Sequence, residues 1–105
     1  MHVISKKPFS EASIKYPNDR DAIMNTYNVL RKVEFDAPST MKETFASLDN
    51  FKYKNKWWVI DVGGNNLRLI PAILFSCQRI YVKHIVTHAE YDKLCIKYKK
   101  ESDKC

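Results

Sequence analysis

The sequence predicts an α+β fold in which a short first strand and two or three helices precede an antiparallel β-meander and a C-terminal helix. Three observations support this prediction. Apolar residues recur at three-and-four spacing in residues 20–33, which is the pattern of a helix with one buried stripe. After residue 50 the chain is rich in aromatic and β-branched residues, divided by two turn sequences. Beyond these turns, Thr87 and Glu90 have the spacing of a helix capping box.

The first half of the chain is predicted to supply packing elements. Residues 2–5 can form a short strand, and Pro8 opens a helix that Pro17 ends, because proline cannot continue the hydrogen bonding of a helix. The amphipathic helix follows. Thr40 and Glu43 again have capping-box spacing, and they predict a short third helix.

Three antiparallel strands are predicted after Asn50. The stretch 51–62 alternates aromatic residues with lysines before it becomes a β-branched run. Residues 63–66, Gly-Gly-Asn-Asn, supply the positive φ angles that a hairpin turn requires, and a second turn falls near 76–78. Pro71 lies inside the middle strand, where it cannot donate to the ladder, and it therefore predicts a bulge.

The closing helix is predicted to run from His88 to about Lys99. Its N-terminus presents unpaired N–H groups and a partial positive charge, which favour a phosphate. A chain of 105 residues is long enough for one modest core. We therefore expect a single domain over 1–105, with residues 100–105 as a frayed tail.

Most of the positive charge is concentrated in the predicted sheet. The chain carries a net charge of +6, and residues 52–84 hold six basic residues against Asp61 alone. Residues 1–51 and 85–105 are nearly neutral. Such clustering predicts a polyanionic partner, of which nucleic acid is the commonest. The alternative is a protein that has a high pI and no such partner.

Cysteine usage and hydropathy predict a cytoplasmic protein that binds no metal. Cys77, Cys95 and Cys105 are an odd number without a CxxC pair, which is typical of free thiols in a reducing compartment. No apolar run approaches the length that crosses a bilayer, so no membrane partner is expected. His84 and His88 precede Cys95 at a spacing seen in zinc sites, but a fourth ligand at a typical distance is lacking. Neither a metal nor another cofactor is expected.

Strand alternation predicts which side chains face a partner, because successive residues of a strand point to opposite faces. Within residues 80–86 the even-numbered positions are the more apolar, so this face should meet the helices and hold His84 as a core residue. Tyr81 and Lys83 then face outward. Arg68 faces outward by the same rule, next to Lys83 if the two strands are neighbours. The predicted core set comprises Leu67, Leu69, Ile73, Phe75, Ile80, Val82 and Val86.

Two segments resemble the paired signatures of a known family: VGGNNLRLI at 62–70 and IVTHAEYDKL at 85–94. They are similar to those of the HigB family of bacterial toxins, a branch of the RelE/ParE superfamily of toxin–antitoxin modules. The stretches MHVISKK and SLDNFKYKNKWWVIDV extend the resemblance over most of the chain. The resemblance implies a RelE-like single domain, with a toxin that is monomeric when alone.

The same resemblance implies a function and partners. It implies a toxin endoribonuclease, an mRNA interferase, that cleaves mRNA in the A site of the translating ribosome and inhibits translation and growth. It also implies a neutralising HigA-like antitoxin with a helix-turn-helix domain. Neither partner can be derived from the spacing of residues.

Four residues are candidates for the catalytic groups. The resemblance matches Arg68 to an arginine that binds the phosphate and stabilises its developing charge, a role that Lys83 would share. His88, which the helix dipole should keep neutral, can act as base or acid or bond to phosphate; the alternative is an exposed residue without a role. By spacing alone Tyr91 belongs to an apolar helix stripe. The resemblance instead implies that it lies beside the scissile phosphate, where it stacks on a base or donates its proton.

A second set of residues is expected to bind RNA. Lys54 and Lys56 precede the first long strand and can contact phosphates, although the alternative is an edge strand protected by lysines. Trp57 and the outward-facing Tyr81 can stack on bases, because strand parity places Trp58 in the core.

The expected reaction is metal-free cleavage of RNA. A 2′-hydroxyl would attack the adjacent phosphorus and leave a 2′,3′-cyclic phosphate and a 5′-hydroxyl. Two alternative functions would use the same basic face of the sheet or the same fold. One is a binding module that contacts RNA without cleaving it, and the other is a ParE-like inhibitor of DNA gyrase.

Overall fold

A five-stranded sheet with helices on both faces organises the molecule in the computed structural model, which describes residues 1–103. The strand order is β1-β5-β4-β3-β2, in which β1 runs parallel to β5 and all other neighbours are antiparallel. The strands are β1 (His2–Val3), β2 (Asp49–Asn50), β3 (Trp58–Val62), β4 (Leu67–Leu74) and β5 (Arg79–Thr87).

Within residues 1–103, four α-helices complete the fold and confirm the predicted α+β class. They are α1 (Lys7–Lys15), α2 (Arg20–Lys32), α3 (Pro38–Thr44) and α4 (His88–Asp103). The helix α4 extends to Asp103 and so includes residues 100–103 of the predicted tail, whereas 104–105 lie outside the described residues. Within the described part of the chain, no helix has both the length and the apolar content to cross a bilayer.

Each face of the sheet has its own core. On one face, the helices α1 and α2 cover a large cluster that includes Phe9, Ile23, Leu30, Ile60 and Leu69, which we call the first core. On the other face, a smaller cluster of Phe51, Val59, Ile70 and Tyr98 packs under α4 with Val86, Tyr91 and Leu94, and we call it the second core. The face predicted to be an open basic surface is therefore largely covered, because α4 folds back onto it.

The bulge predicted at Pro71 is present and changes the alternation of β5. The β4–β5 register runs from Ile70 opposite His84 to Pro71 opposite Val82, which leaves Lys83 as an extra residue. Because side chains alternate with period two, one extra residue exchanges the faces of everything beyond it. The predicted grouping of Val82 with Val86 is therefore wrong, since Val82 packs on the first core and Val86 on the second.

Two predicted local structures do not form. The strand character predicted from residue 51 begins later, because residues 52–56 form turns and a bend, Trp57 makes an isolated bridge to Ala72, and β3 starts at Trp58. Lys56 has a φ of +66°, which lies outside the β region. The capping box of Thr40 and Glu43 is absent, since α3 begins earlier, at Pro38, and Ala37 is its N-cap. A proline at the first helical position has a preset φ that favours this earlier start.

The β3–β4 hairpin turn gives a testable difference between two adjacent glycines. Gly63 and Gly64 have φ angles of +64° and +71°, as predicted for this turn. A Cβ on Gly63 would lie 2.5 Å from Oδ1 of Asp19, whereas a Cβ on Gly64 has no neighbour within 4 Å. That same Asp19 oxygen accepts a hydrogen bond from Asn66 at 3.0 Å.

We therefore expect Gly64→Ala to lower the free energy of unfolding by about 1–2 kcal/mol, the cost of a left-handed conformation. Gly63→Ala should cost about 1 kcal/mol more, because it also displaces Asp19 from its bond to Asn66. Urea denaturation of the two variants measures the difference. Equal losses would mean that Asp19 moves aside without cost.

Candidate active site

The start of α4 is fixed by the predicted capping box. The Thr87 hydroxyl accepts from the Glu90 backbone N–H at 3.3 Å, and Glu90 Oε1 accepts from the Thr87 N–H at 3.2 Å. Tyr16, at the end of α1, donates to the same Glu90 oxygen at 2.9 Å. Above all the Thr87 backbone bond, and then the Tyr16 bond, lower the pKa of Glu90. Together these contacts determine where His88, the first residue of the helix, is presented.

Arg68 is held in place by groups from three parts of the structure. It lies opposite Asp61 in the β3–β4 register, and its Nε is 3.1 Å from Asp61 Oδ1. One terminal nitrogen donates to the Asn65 carbonyl at 3.1 Å, and the other lies 3.2 Å from Nδ1 of His88. The Arg68 side chain is 14% exposed, so its guanidinium is oriented by the protein rather than by water.

His88 lies between Arg68 and a carboxylate of its own helix. Because a guanidinium has donors only, Nδ1 of His88 must accept the bond from Arg68 and carries no proton in this arrangement. The proton of the neutral ring is then on Nε2, which lies 3.6 Å from Oδ2 of Asp92. The His88 side chain is 62% exposed, so a ligand can reach it from solvent.

Tyr91 lies one turn after His88. Its surroundings are compatible with both roles considered for it, a packing residue of α4 and a residue beside the scissile phosphate. Its ring contacts Phe51 of the second core at a centroid distance of 6.2 Å, yet the residue is only half-buried. Burial raises the pKa of the Tyr91 hydroxyl to about 12, and a hydrogen bond with Cys95 acts in the same direction. Arg68 acts in the opposite direction. The hydroxyl therefore keeps its proton at neutral pH.

Lys83 does not join this group. It is the bulged residue of β5, three positions before Val86, which is the partner of Arg68 in the register. Its ammonium lies 5.9 Å from the ring centroids of both Trp57 and Tyr81 rather than beside the guanidinium. The structure thus brings Arg68 together with His88 and directs Lys83 to a separate set of aromatic residues.

These aromatic residues form a second cluster on the α4 face of the sheet, which we call the basic–aromatic patch. The Trp57 ring lies 5.3 Å from that of Tyr98, and His84 Nε2 is 2.8 Å from the Tyr98 hydroxyl. Burial, followed by the charges of Lys97 and Lys83, lowers the pKa of His84, which therefore remains neutral. The patch comprises Lys54, Trp57, Tyr81, Lys83, His84, Lys97 and Tyr98.

The two lysines of the 51–57 segment have different surroundings. Lys54 lies 5.1 Å from the Tyr98 ring centroid and 3.3 Å from Oε2 of Glu101, so it belongs to the patch. Lys56 is exposed at a turn, where its carbonyl accepts from the Ile73 N–H at 2.9 Å. Both residues line a groove of about 580 Å³ that does not include Arg68 or His88.

The histidines do not form a metal site with their neighbours. His84 faces Tyr98, whereas His88 faces Arg68 and Asp92. Within residues 1–103 there is no group of three or more His, Cys, Asp and Glu side chains placed to hold a metal ion.

Sequence reasoning missed two residues of the site, Asp61 and Asp92. Asp61 and Arg68 are each one residue away from a strand end at the same turn, so their pairing could have been counted from the hairpin. Asp92 is four residues after His88, which is the spacing of neighbours on one helix face. Both signals were present in the sequence.

Comparison with known proteins identifies the class first. Residues 19–94 match the HigB toxin family, described as the RelE-like toxic component of a toxin–antitoxin system. This span includes Asp61, Arg68, His88, Tyr91 and Asp92. Fold and match together define a RelE-like toxin.

Relatives over nearly the whole chain identify the family. The mRNA interferase HigB of Escherichia coli O6:H1 is 52% identical over 103 residues, which cover 98% of this chain and 100% of that protein. The mRNA interferase toxin HigB of Escherichia coli strain K12 and the mRNA interferase HigB of Shigella flexneri are each 40% identical over 92 residues, or 88% of each chain. The chain belongs to the HigB toxin family, and it is therefore the toxic partner of an antitoxin.

Proposed function

We propose that this toxin is an mRNA interferase, an endoribonuclease that cleaves mRNA and so inhibits translation and growth. The observation that carries the proposal is the pairing of Arg68 with His88, at 3.2 Å, where β4 meets the start of α4. An arginine recognises a phosphate, and a neutral imidazole can move a proton. Relatives of nearly the same length that are named mRNA interferases support the same activity.

Arg68 is the proposed group that binds the scissile phosphate. Its guanidinium is oriented by Asp61 and the Asn65 carbonyl, so little rearrangement is needed when negative charge develops on the phosphate. One face of the site is open to solvent at His88, which leaves room for the RNA backbone.

The basic–aromatic patch is the proposed binding surface for neighbouring nucleotides. Trp57 and Tyr81 offer half-buried rings for stacking, and Lys83 adds a cation beside both of them. Lys54 and Lys56 extend the positive charge along the 51–57 segment. Lys83 would then hold a phosphate next to the one that is cut, rather than the scissile phosphate itself.

The proposed chemistry uses the residues around Arg68 and no metal. His88 Nδ1 takes the proton of a ribose 2′-hydroxyl while that oxygen forms a bond to phosphorus. The bond between phosphorus and the 5′-oxygen breaks, and this oxygen takes the proton of Tyr91, whose high pKa keeps it protonated until then. Tyr91 regains a proton from water, and His88 releases its own. The products are a 2′,3′-cyclic phosphate and a 5′-hydroxyl.

Two partners complete the proposal. We propose that the antitoxin is HigA-like, with a helix-turn-helix domain, and that cleavage takes place in the A site of the translating ribosome. Membership of a toxin–antitoxin family supports a neutralising partner. The ribosome is supported by the resemblance to the superfamily and by the excess of positive charge in residues 52–84.

Mapping of RNA ends after induction of the toxin tests the function. We expect new mRNA 5′ ends at fixed codon positions, carrying 5′-hydroxyl groups, and matching cyclic phosphates upstream. Cleavage of purified mRNA with and without ribosomes, both in Mg²⁺ so that the ribosomes stay assembled, tests the ribosome requirement. Cleavage of free RNA at high toxin concentration in EDTA tests the absence of a metal. The matched control is the Arg68→Lys variant, expressed to the same level.

Other outcomes of this mapping favour the alternatives. Unchanged transcripts with intact replication would indicate a binding module, and induction of the DNA-damage response would indicate a gyrase inhibitor. Cleavage of free RNA that is lost in EDTA and restored by a divalent ion would contradict the metal-free reaction.

A further inference from the structure

We infer that the free toxin keeps its base masked: one terminal N–H of Arg68 donates to Nδ1 of His88 until the RNA phosphate accepts that hydrogen bond instead, and Asp92 is the residue that then positions His88. The inference rests on the proposed function and adds to it a gating step and a positioning residue. Its starting point is the line of contacts from Asp61 through Arg68 and His88 to Asp92.

In the free protein neither ring nitrogen of His88 can accept a proton from RNA. Nδ1 accepts from Arg68 at 3.2 Å, and a guanidinium cannot be the acceptor in this pair. Nε2 therefore carries the proton of the neutral ring and faces Asp92 at 3.6 Å. The imidazole is in the tautomer that a base at Nδ1 requires, but its lone pair is already used.

A phosphate competes directly with His88 for Arg68. Nε and one terminal nitrogen of the guanidinium are already bound to Asp61 and to the Asn65 carbonyl. The nitrogen that contacts His88 is thus the one that a ligand can most readily recruit. A phosphate oxygen is charged and accepts more strongly than a neutral imidazole, so binding of the substrate should release Nδ1.

Asp92 contacts the other ring nitrogen of His88, Nε2. It lies one turn after His88 on α4, so the helix itself sets the distance between the two side chains. A carboxylate beside Nε2–H holds the ring in one tautomer and stabilises the imidazolium that forms when Nδ1 takes a proton. Two further charged groups belong to the same line of contacts, namely Arg68 on β4 and Asp61 behind it on β3. Asp92 is separated from the substrate by His88, so it acts as a positioning residue.

The gated step conserves atoms and charge. The phosphate accepts the Arg68 hydrogen bond, and Nδ1 accepts the proton of the 2′-hydroxyl. The 2′-oxygen bonds to phosphorus, and the leaving 5′-oxygen takes the Tyr91 proton. When the product leaves, His88 returns its proton to water and Nδ1 accepts from Arg68 again.

NMR spectroscopy of ¹⁵N-labelled protein tests the masked state without any cleavage. We expect the free toxin to show His88 as the Nε2–H tautomer, with Nδ1 shifted by the hydrogen bond from Arg68. An RNA oligonucleotide with a 2′-O-methyl group at the cleavage site cannot react, and its addition should remove that shift. An Nδ1–H tautomer in the free protein, or an unchanged Nδ1 signal with saturating oligonucleotide, would overturn the inference.

Kinetics of Asp92→Asn test the positioning role. We expect kcat to fall about tenfold with little change in KM, because the orienting charge is lost while RNA binding remains. Asp92→Glu should recover part of the rate, and the Nε2–H tautomer should be less populated in Asp92→Asn. The control is Asp36→Asn, an exposed carboxylate remote in sequence from the site.

The results separate the inference from the function on which it rests. Wild-type cleavage with an Asp92→Asn variant that is equally fast would overturn the role of Asp92 and leave the nuclease intact. Absence of cleavage by the wild-type toxin would overturn both.

Discussion

Replacement of Arg68 by lysine is expected to lower the rate of mRNA cleavage by about 10²–10³-fold, although the positive charge is kept. A lysine ammonium cannot bond to Asp61 and the Asn65 carbonyl and still present an oriented donor to the phosphate. The loss should appear in kcat/KM, measured with a ribosome-bound message, and as rescue of growth on induction.

Arg79→Lys is the matched control, because Arg79 is exposed at the far end of the β4–β5 hairpin. Thermal unfolding of both variants checks that the fold is kept. If Arg68→Lys cleaves at the wild-type rate, phosphate recognition does not depend on the guanidinium, and Lys83 or Lys54 becomes the better candidate.

The second large effect is expected for His88→Gln, which should reduce kcat by about 10²–10⁴-fold. Glutamine keeps the polarity and the approximate size of the side chain but cannot take the 2′-hydroxyl proton. Because His88 is exposed at the first position of α4, the free energy of unfolding should change little.

The control for this variant is His2→Gln, since His2 is also exposed but lies opposite Arg79, at the end of β5 far from His88. Single-turnover cleavage with saturating enzyme isolates the chemical step from RNA binding. A variant with the wild-type single-turnover rate would show that His88 is not the base, and the inference about its masking would fall as well.

The start of α4 could be predicted because its signals are local. Thr87 and Glu90 satisfy each other within four residues, and no neighbouring residue favours another start. The same spacing at Thr40 failed because Pro38, two residues earlier, favours helix initiation more strongly. A capping-box spacing thus predicts the start of a helix where no nearby residue favours a different start.

The side chains that share a face of the sheet, and those that cluster together, could be predicted only in part. Both depend on the register between strands. Arg68 could be placed by counting from its turn, and its contact with His88 follows from the way α4 begins. Lys83 could not, since the bulge leaves it outside the ladder and the fold of 51–57 brings Trp57 toward it. That α4 covers one face of the sheet depends on the angle between α4 and β5. The spacing of residues does not predict this angle.

The bulge between Pro71 and Lys83 has a consequence for the length of this hairpin. The side chains from His84 to the start of α4 point to their present faces of the sheet because β5 contains one extra residue. Loss or gain of one residue there would turn His88 away from Arg68 and interchange the surroundings of Ile85 and Val86. Relatives that keep this chemistry should therefore tolerate length variation between the Val82 and His88 positions only in even steps.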